Sequence, residues 1–120
     1  MTYQKMINAY ATLMRMSTTQ MPIKAARALY SIRRAIEPTY EFCVEQEQVI
    51  VSSHEGKVNN GSITFTDEEK AKSAQQALQD LYSQEAEYDR EPVELALDDV
   101  AGCKLTMNDL DALEGFVTLT

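Results

Sequence analysis

Two apolar stripes at helical period constrain this chain more than any other feature. In the first, Tyr3, Met6, Tyr10 and Leu13 recur at spacings of three and four, with Ile7 and Met14 beside them. That spacing puts one face of a helix from about Thr2 to Met16 against a partner. Ser17, Thr18 and Thr19 break the pattern, because their side chains compete for backbone hydrogen bonds and favour turns and caps. Pro22 suits the first turn of a new helix. From there Ala25, Leu29, Ile32, Ile36, Tyr40, Cys43 and Ile50 trace a second, longer stripe, joined by Ala26, Val44 and Val51. It stays in phase across Pro38, which removes one backbone donor and crowds the carbonyl four residues back. The expectation is an antiparallel helical hairpin over residues 1–55, its second helix kinked near Ala35 to Glu37 and finished by Gly56.

The rest of the chain reads as strand, helix, strand, helix over residues 61–120. Asn59-Asn60-Gly61 signals a turn. Ser62 to Phe65 alternates as a short strand, with Ile63 and Phe65 on one side. Thr66-Asp67-Glu68-Glu69 reads as a capping box opening a helix, which carries Ala71, Ala74, Leu78, Leu81 and Tyr88 on one face and ends near Tyr88. Val93, Leu95 and Leu97 alternate as a second strand, parallel to the first across the intervening helix. Gly102 to Leu105 is read as a hairpin strand. Thr106 to Asp109 resembles a further N-cap. After it Leu110, Leu113, Phe116 and Val117 are expected on the apolar face of a closing helix, with Asp109, Asp111 and Glu114 in water. The fold expected is α+β: one domain over residues 1–120, with the kinked hairpin packed on a two- or three-stranded sheet and two further helices. At 120 residues there is room for one core.

Charge divides the chain at the expected kink. Residues 1–36 hold six bases (Lys5, Arg15, Lys24, Arg27, Arg33 and Arg34) and no acid, whereas residues 37–120 hold nineteen acids and five bases. The two parts carry +6 and −14, giving the net −8. Lys24, Arg27 and Arg34 fall at spacings that share a helix face, with Arg33 beside them, so they are candidate contacts for an anion or a partner. A pI near 4.6 argues against general nucleic-acid binding. Glu41, Glu45, Glu85, Glu87 and Asp89 are the candidate acidic face, suited to a basic protein partner.

Evident chemistry is sparse. His54 is the only histidine, and Cys43 and Cys103 lack paired ligand spacing, so metal binding is not expected, nor any cofactor. Glu41, Glu45 and Glu47 read better as a solvated helix face than as a cation site. Cys43 lies on an apolar stripe, as an inert buried thiol would, and His54 stands where it can cap a helix end. Met6, Met14, Met16 and Met21 cluster near the N-terminus as adaptable packing. The four glycines are scattered and form no phosphate loop. The chain is therefore read as not an enzyme. With no span of about 20 apolar residues and no continuous apolar leader, it is expected to be cytoplasmic and off the membrane, its cysteines free. A residual stripe at Tyr40, Cys43 and Ile50 is a candidate homodimer contact.

Four segments occur in an order that resembles a group of small phage and prophage proteins of unknown function: a proline-opened long helix (MPIKAARALYSIRRAIEPTYEF), a G-x-I-x-F strand (GSITF) leading into an acid-rich helix, an x-L-x-L strand (PVELALDD), and a closing L-T-x-x-D-L helix (LTMNDL). Here Met21 stands where leucine is commoner, and Pro38 interrupts the long helix. The shared motifs are structural and carry over no functional residue. The resemblance implies a phage accessory protein that binds and blocks a host defence component, for example a CRISPR–Cas effector. It also leaves open a virion-assembly role or, through Arg27, Arg33 and Arg34, a sponge for a nucleotide signal.

Overall fold

The structure, a computed structural model, describes residues 1–120 except the side chain of Asn59. The fold is α+β. Helix α1, Tyr3–Met16, opens on Thr2, whose hydroxyl accepts the Lys5 amide at 3.2 Å. This bond satisfies one of the donors that a helix start leaves without a partner. The helix buries Met6, Ala9, Leu13 and Met16. Helix α2, Ile23–Ser53, buries Ala25, Leu29, Ile32, Ile36, Cys43 and Val51, and runs through Pro38 as one helix. The two are antiparallel: Met14 meets Arg33, Tyr10 stacks on Tyr40 with centroids 4.0 Å apart, and Tyr3 lies 6.1 Å from Phe42.

The two helices differ greatly in length. At about 1.5 Å per residue, α2 is roughly twice as long as α1 and overshoots it. The overhang is packed by α3, Glu68–Ser83, which runs back along it. Tyr82 donates to Glu47 at 2.8 Å, His54 meets Ser73 at 3.1 Å, and Lys70 pairs with Glu55 at 2.5 Å. Between the two helices, β1 (Lys57–Asn59) and β2 (Ser62–Thr64) form an antiparallel hairpin. Its turn has Asn60 at φ 52° and Gly61 at φ 81°. The left-handed pair matches the twist of a tight hairpin, and Asn-Gly tolerates it best. Val58 and Ile63 sit opposite one another across the hairpin.

The C-terminal part departs from expectation in its pairing. Strand β3, Val93–Leu95, lies parallel to β4, Val117–Leu119, in register Val93 with Val117 and Leu95 with Leu119. Strand β2 therefore pairs upstream with β1, not with β3. The connection from β3 to β4 contains a 3₁₀ helix, Leu97–Cys103, and α4, Met107–Leu113. Residues Gly102 to Leu105 form no strand, since the 3₁₀ helix ends there with Lys104 left-handed at φ 51°. The closing helix stops at Leu113, because Gly115 at φ 87° turns the chain. Phe116 and Val117 thus enter the core from a turn and a strand instead of a helix face. Helix α3 is capped by Asp67, which accepts the Glu69 amide at 2.9 Å, and not by Thr66. It ends at Ser83, short of Tyr88, whose ring packs edge-on against Phe116 at 4.9 Å instead. The expected cap at Thr106 is present as a reciprocal box with Asp109. Asp109 itself is buried and ion-paired with Arg15, not in water.

The main core joins α1, the first half of α2, β3, the 3₁₀ helix and the α4–β4 corner, with Met6, Ile32, Ile36 and Phe116 at its centre. Helix α3 contributes no residue to that cluster. The molecule measures 50 × 30 × 22 Å with a radius of gyration of 16.8 Å, against about 14 Å for a compact chain of this length. The excess is the arm made by the α2 overhang, the hairpin and α3. No helix among the described residues is long and apolar enough to cross a membrane.

Candidate functional site

The arm is a helix pair that meets α1 at its base. Facing α3, the α2 overhang buries Cys43 and Val51, and α3 buries Ala74 and Leu81 in return. The pair is fastened by the Tyr82–Glu47 hydrogen bond, and burial followed by that carboxylate raises the Tyr82 pKa so that the phenol keeps its proton. Burial, reinforced by the Glu47 charge, lifts the Cys43 thiol to about 11, which leaves it unreactive at neutral pH. His54 is the last link of the helix: its Nδ1 lies 2.7 Å from the Ile50 carbonyl and its Nε2 reaches Ser73. Cys43 and His54 are therefore engaged in holding the arm, while Cys103 lies outside it at the end of the 3₁₀ helix.

Away from α3, the arm shows apolar side chains to solvent. Phe42 is 46% exposed and Val49 58%, one above the other at a seven-residue spacing on α2. On the hairpin, the Val58–Ile63 pair is 69% and 47% exposed, and no third strand covers it. Glu41 and Glu45 are exposed on α2 beside Phe42 and Val49, and a shallow depression is lined by Glu45, Gln48, Val49, Ser52 and Ser53. Residues 41–83 hold eight acids against three bases, a net −5. The arm thus combines an apolar ridge with an acidic fringe, a composition that suits contact with a basic, partly apolar surface.

The remaining predicted acids are exposed but not helical. Glu85, Glu87 and Asp89 follow the end of α3, and Glu85 accepts the Met1 amino group at 2.9 Å. They adjoin the start of α1, which also touches Phe42 through Tyr3, so they flank the base of the arm. The basic residues separate. Lys24, Arg27 and Arg34 are exposed on the first half of α2 and form no ion pair among the described contacts. Arg33 is half-buried and turned toward α1, where its Nη1 lies 3.5 Å from the Met14 sulfur. Of the candidate dimer stripe, Cys43 is fully buried beneath α3 and Tyr40 is stacked on Tyr10, so neither stands free for a second copy. Among the described residues, no group of three His, Cys, Asp or Glu side chains is placed to hold a metal ion.

Phe42, Val49 and Val58 escaped the sequence reading, and Ile63 was read only as a strand residue. Their signal was present but weak: Phe42 and Val49 fall one residue off the stripe of Cys43 and Ile50. Compared with protein-family models, curated proteins and solved structures, the chain matches none.

Proposed function

We propose that the chain is a non-enzymatic accessory protein that works by gripping a basic protein surface with its arm. The observation that carries this reading is the exposed apolar ridge of Phe42 and Val49 beside Glu41 and Glu45, which α1 meets at Phe42 through Tyr3. Apolar contacts supply affinity and the acidic fringe supplies orientation and on-rate. Blocking a host defence component, such as a CRISPR–Cas effector, is the narrower role that the phage-like motif order implies, since such effectors present basic grooves.

Tagged wild-type chain and a Phe42→Ser/Val49→Ser variant, both checked for helix content, are used to capture partners from the native host. A basic protein retained by the wild type, lost with the variant and released by raised salt is the expected result, since screening shortens from about 10 Å at 0.1 M to about 3 Å at 1 M. Identical capture by both chains overturns the assignment to the arm. For the narrower role, plaque counts on defended hosts should rise when the chain is expressed, and equal counts reject it.

A further inference from the structure

The other half of α2 contains a cavity that the arm does not use. It lies between the end of α1 and the start of α2, and its volume is ≈ 240 Å³. Leu13 and Met16 from α1, Met21 from the connection, and Ala26 and Leu29 from α2 make its walls. Along α2 the lining residues Ala26, Leu29, Tyr30 and Arg33 follow the helical repeat, so one stripe faces the space and ends in a guanidinium. Pockets for drug-sized ligands run to about 300–1,000 Å³, which makes this one fit for something smaller and mainly apolar.

The guanidinium is under-used. Arg33 Nε is sealed from solvent and has no hydrogen-bond partner. Nη1 has only the Met14 thioether at 3.5 Å, a weak acceptor, and the group lies over the Tyr30 ring with Cζ 5.2 Å from its centroid. Glu37, one helical turn on, forms no ion pair with it. A buried donor on a charged group without an acceptor is costly, and native structures rarely leave one so. Nε and Nη2 present the planar fork that carboxylates accept in bidentate fashion, and neither has a hydrogen-bond partner among the described residues. Around it Lys24, Arg27 and Arg34 stay exposed on the same helix, with no acid in residues 1–36, so the local field favours an anion despite the acidic total.

We propose that this cavity binds a small amphipathic carboxylate, its aliphatic or aryl body lying between Leu13, Met16 and Leu29 and its head on the Arg33 fork. Binding would turn the sealed Nε edge of the guanidinium into the cavity, where Nε and Nη2 make two charge-assisted hydrogen bonds. The site is independent of the arm, and neither reading depends on the other.

The test uses octanoate as probe, with 1-octanol and octylammonium as controls of equal chain length. Methionine methyl NMR reports place, since Met16 and Met21 line the cavity and Met14 touches its Arg33, while Met107 is exposed on α4. Octanoate should shift the first three methyls saturably and leave Met107 unmoved, with 1:1 stoichiometry by calorimetry. Octanol should bind at least about tenfold more weakly, as should octanoate to Arg33→Gln. Ala26→Leu, which narrows the cavity without altering charge, should weaken octanoate and octanol alike. Melting curves establish that each variant is folded, and Arg33→Lys provides a second, charge-retaining variant that should fall between wild type and Arg33→Gln. Absence of saturable methyl shifts at millimolar octanoate overturns the proposal, as does unchanged affinity in folded Arg33→Gln or octylammonium binding as tightly as octanoate.

Discussion

Replacing Phe116 with alanine should remove a large part of the stability of this protein. The ring is fully buried, is the largest side chain so enclosed, and sits where α4 gives way to β4. Its carbonyl accepts the Val93 amide at 3.0 Å, so the same residue fixes the parallel strand pair. Phe→Ala in a core costs about 3–5 kcal/mol through lost transfer energy and the cavity left behind. Of that, about 1 kcal/mol belongs to the edge-on contact with Tyr88. At roughly 0.05–0.15 kcal/mol per residue the whole chain has only about 6–18 kcal/mol to lose. Phe116→Ala should therefore lower the urea midpoint, followed by circular dichroism, by about a third at mid-range values and by no less than about a sixth, at unchanged slope. Phe116→Leu should cost about half as much, since it keeps most of the apolar volume. A cycle with Tyr88→Leu should return a coupling of about 1 kcal/mol. A loss below about 1 kcal/mol for Phe116→Ala would show that the α4–β4 corner is not part of the core.

Other perturbations test separate joints. Hydrogen bonding to Arg15, then to the Thr106 amide, holds the Asp109 carboxyl below the usual carboxylate range. A lowered folded-state pKa gives stability that is present above the unfolded value and lost as pH falls through the folded one. Asp109→Asn should thus flatten the acid limb of the stability curve below about pH 4, and an unchanged limb would refute the assignment. Gly56 has Val51 and Phe65 so near that an added Cβ would lie 2.7 Å from each, so Gly56→Ala should cost about 2 kcal/mol in a melting experiment. With Cys43 fully buried and its thiol raised to about 11, a disulfide-exchange reagent at pH 8 should titrate Cys103 quickly and Cys43 only on unfolding; equal rates would count against the burial.

What could be read from sequence was what is decided locally. The α1 and α2 stripes repeat often enough that period, partner face and antiparallel return follow from spacing alone. The Thr106 cap was legible because it is decided within four residues, although Asp109, which completes the box, was read as facing water. Strand pairing was not, because each strand is three residues long and its partner is fixed by tertiary packing. Lys57–Asn59 holds a single apolar residue, and nothing near Val93 announces that Val117 will lie beside it. Gly115 was the overlooked signal: a left-handed residue after Leu113 ends the helix and sends Phe116 inward. At the candidate sites, Lys24, Arg27 and Arg34 were placed on one helix face and Arg33 was only set beside them, although Arg33 is about 100° around the helix from Arg34 and in phase with Ala26 and Leu29. That phase was available from the residue numbers and separates the cavity residue from the exposed ones.

Helix α3 shares no residue with the main core, and this has a thermodynamic consequence. Its attachment rests on a few buried side chains, Cys43, Val51, Ala74 and Leu81, on polar bonds along α2, and on contact with α1 at its C-terminal end. The protein should therefore open in two stages, with the arm as the weaker cooperative unit. Amides of α3 and the hairpin would exchange with solvent hydrogen through a partial opening of low denaturant dependence. Amides of α1, the first half of α2 and β3 would wait for global unfolding. A surface that loosens on its own can adjust its helix packing to a partner while the remainder stays rigid, and whatever seats on it would raise protection in the arm first.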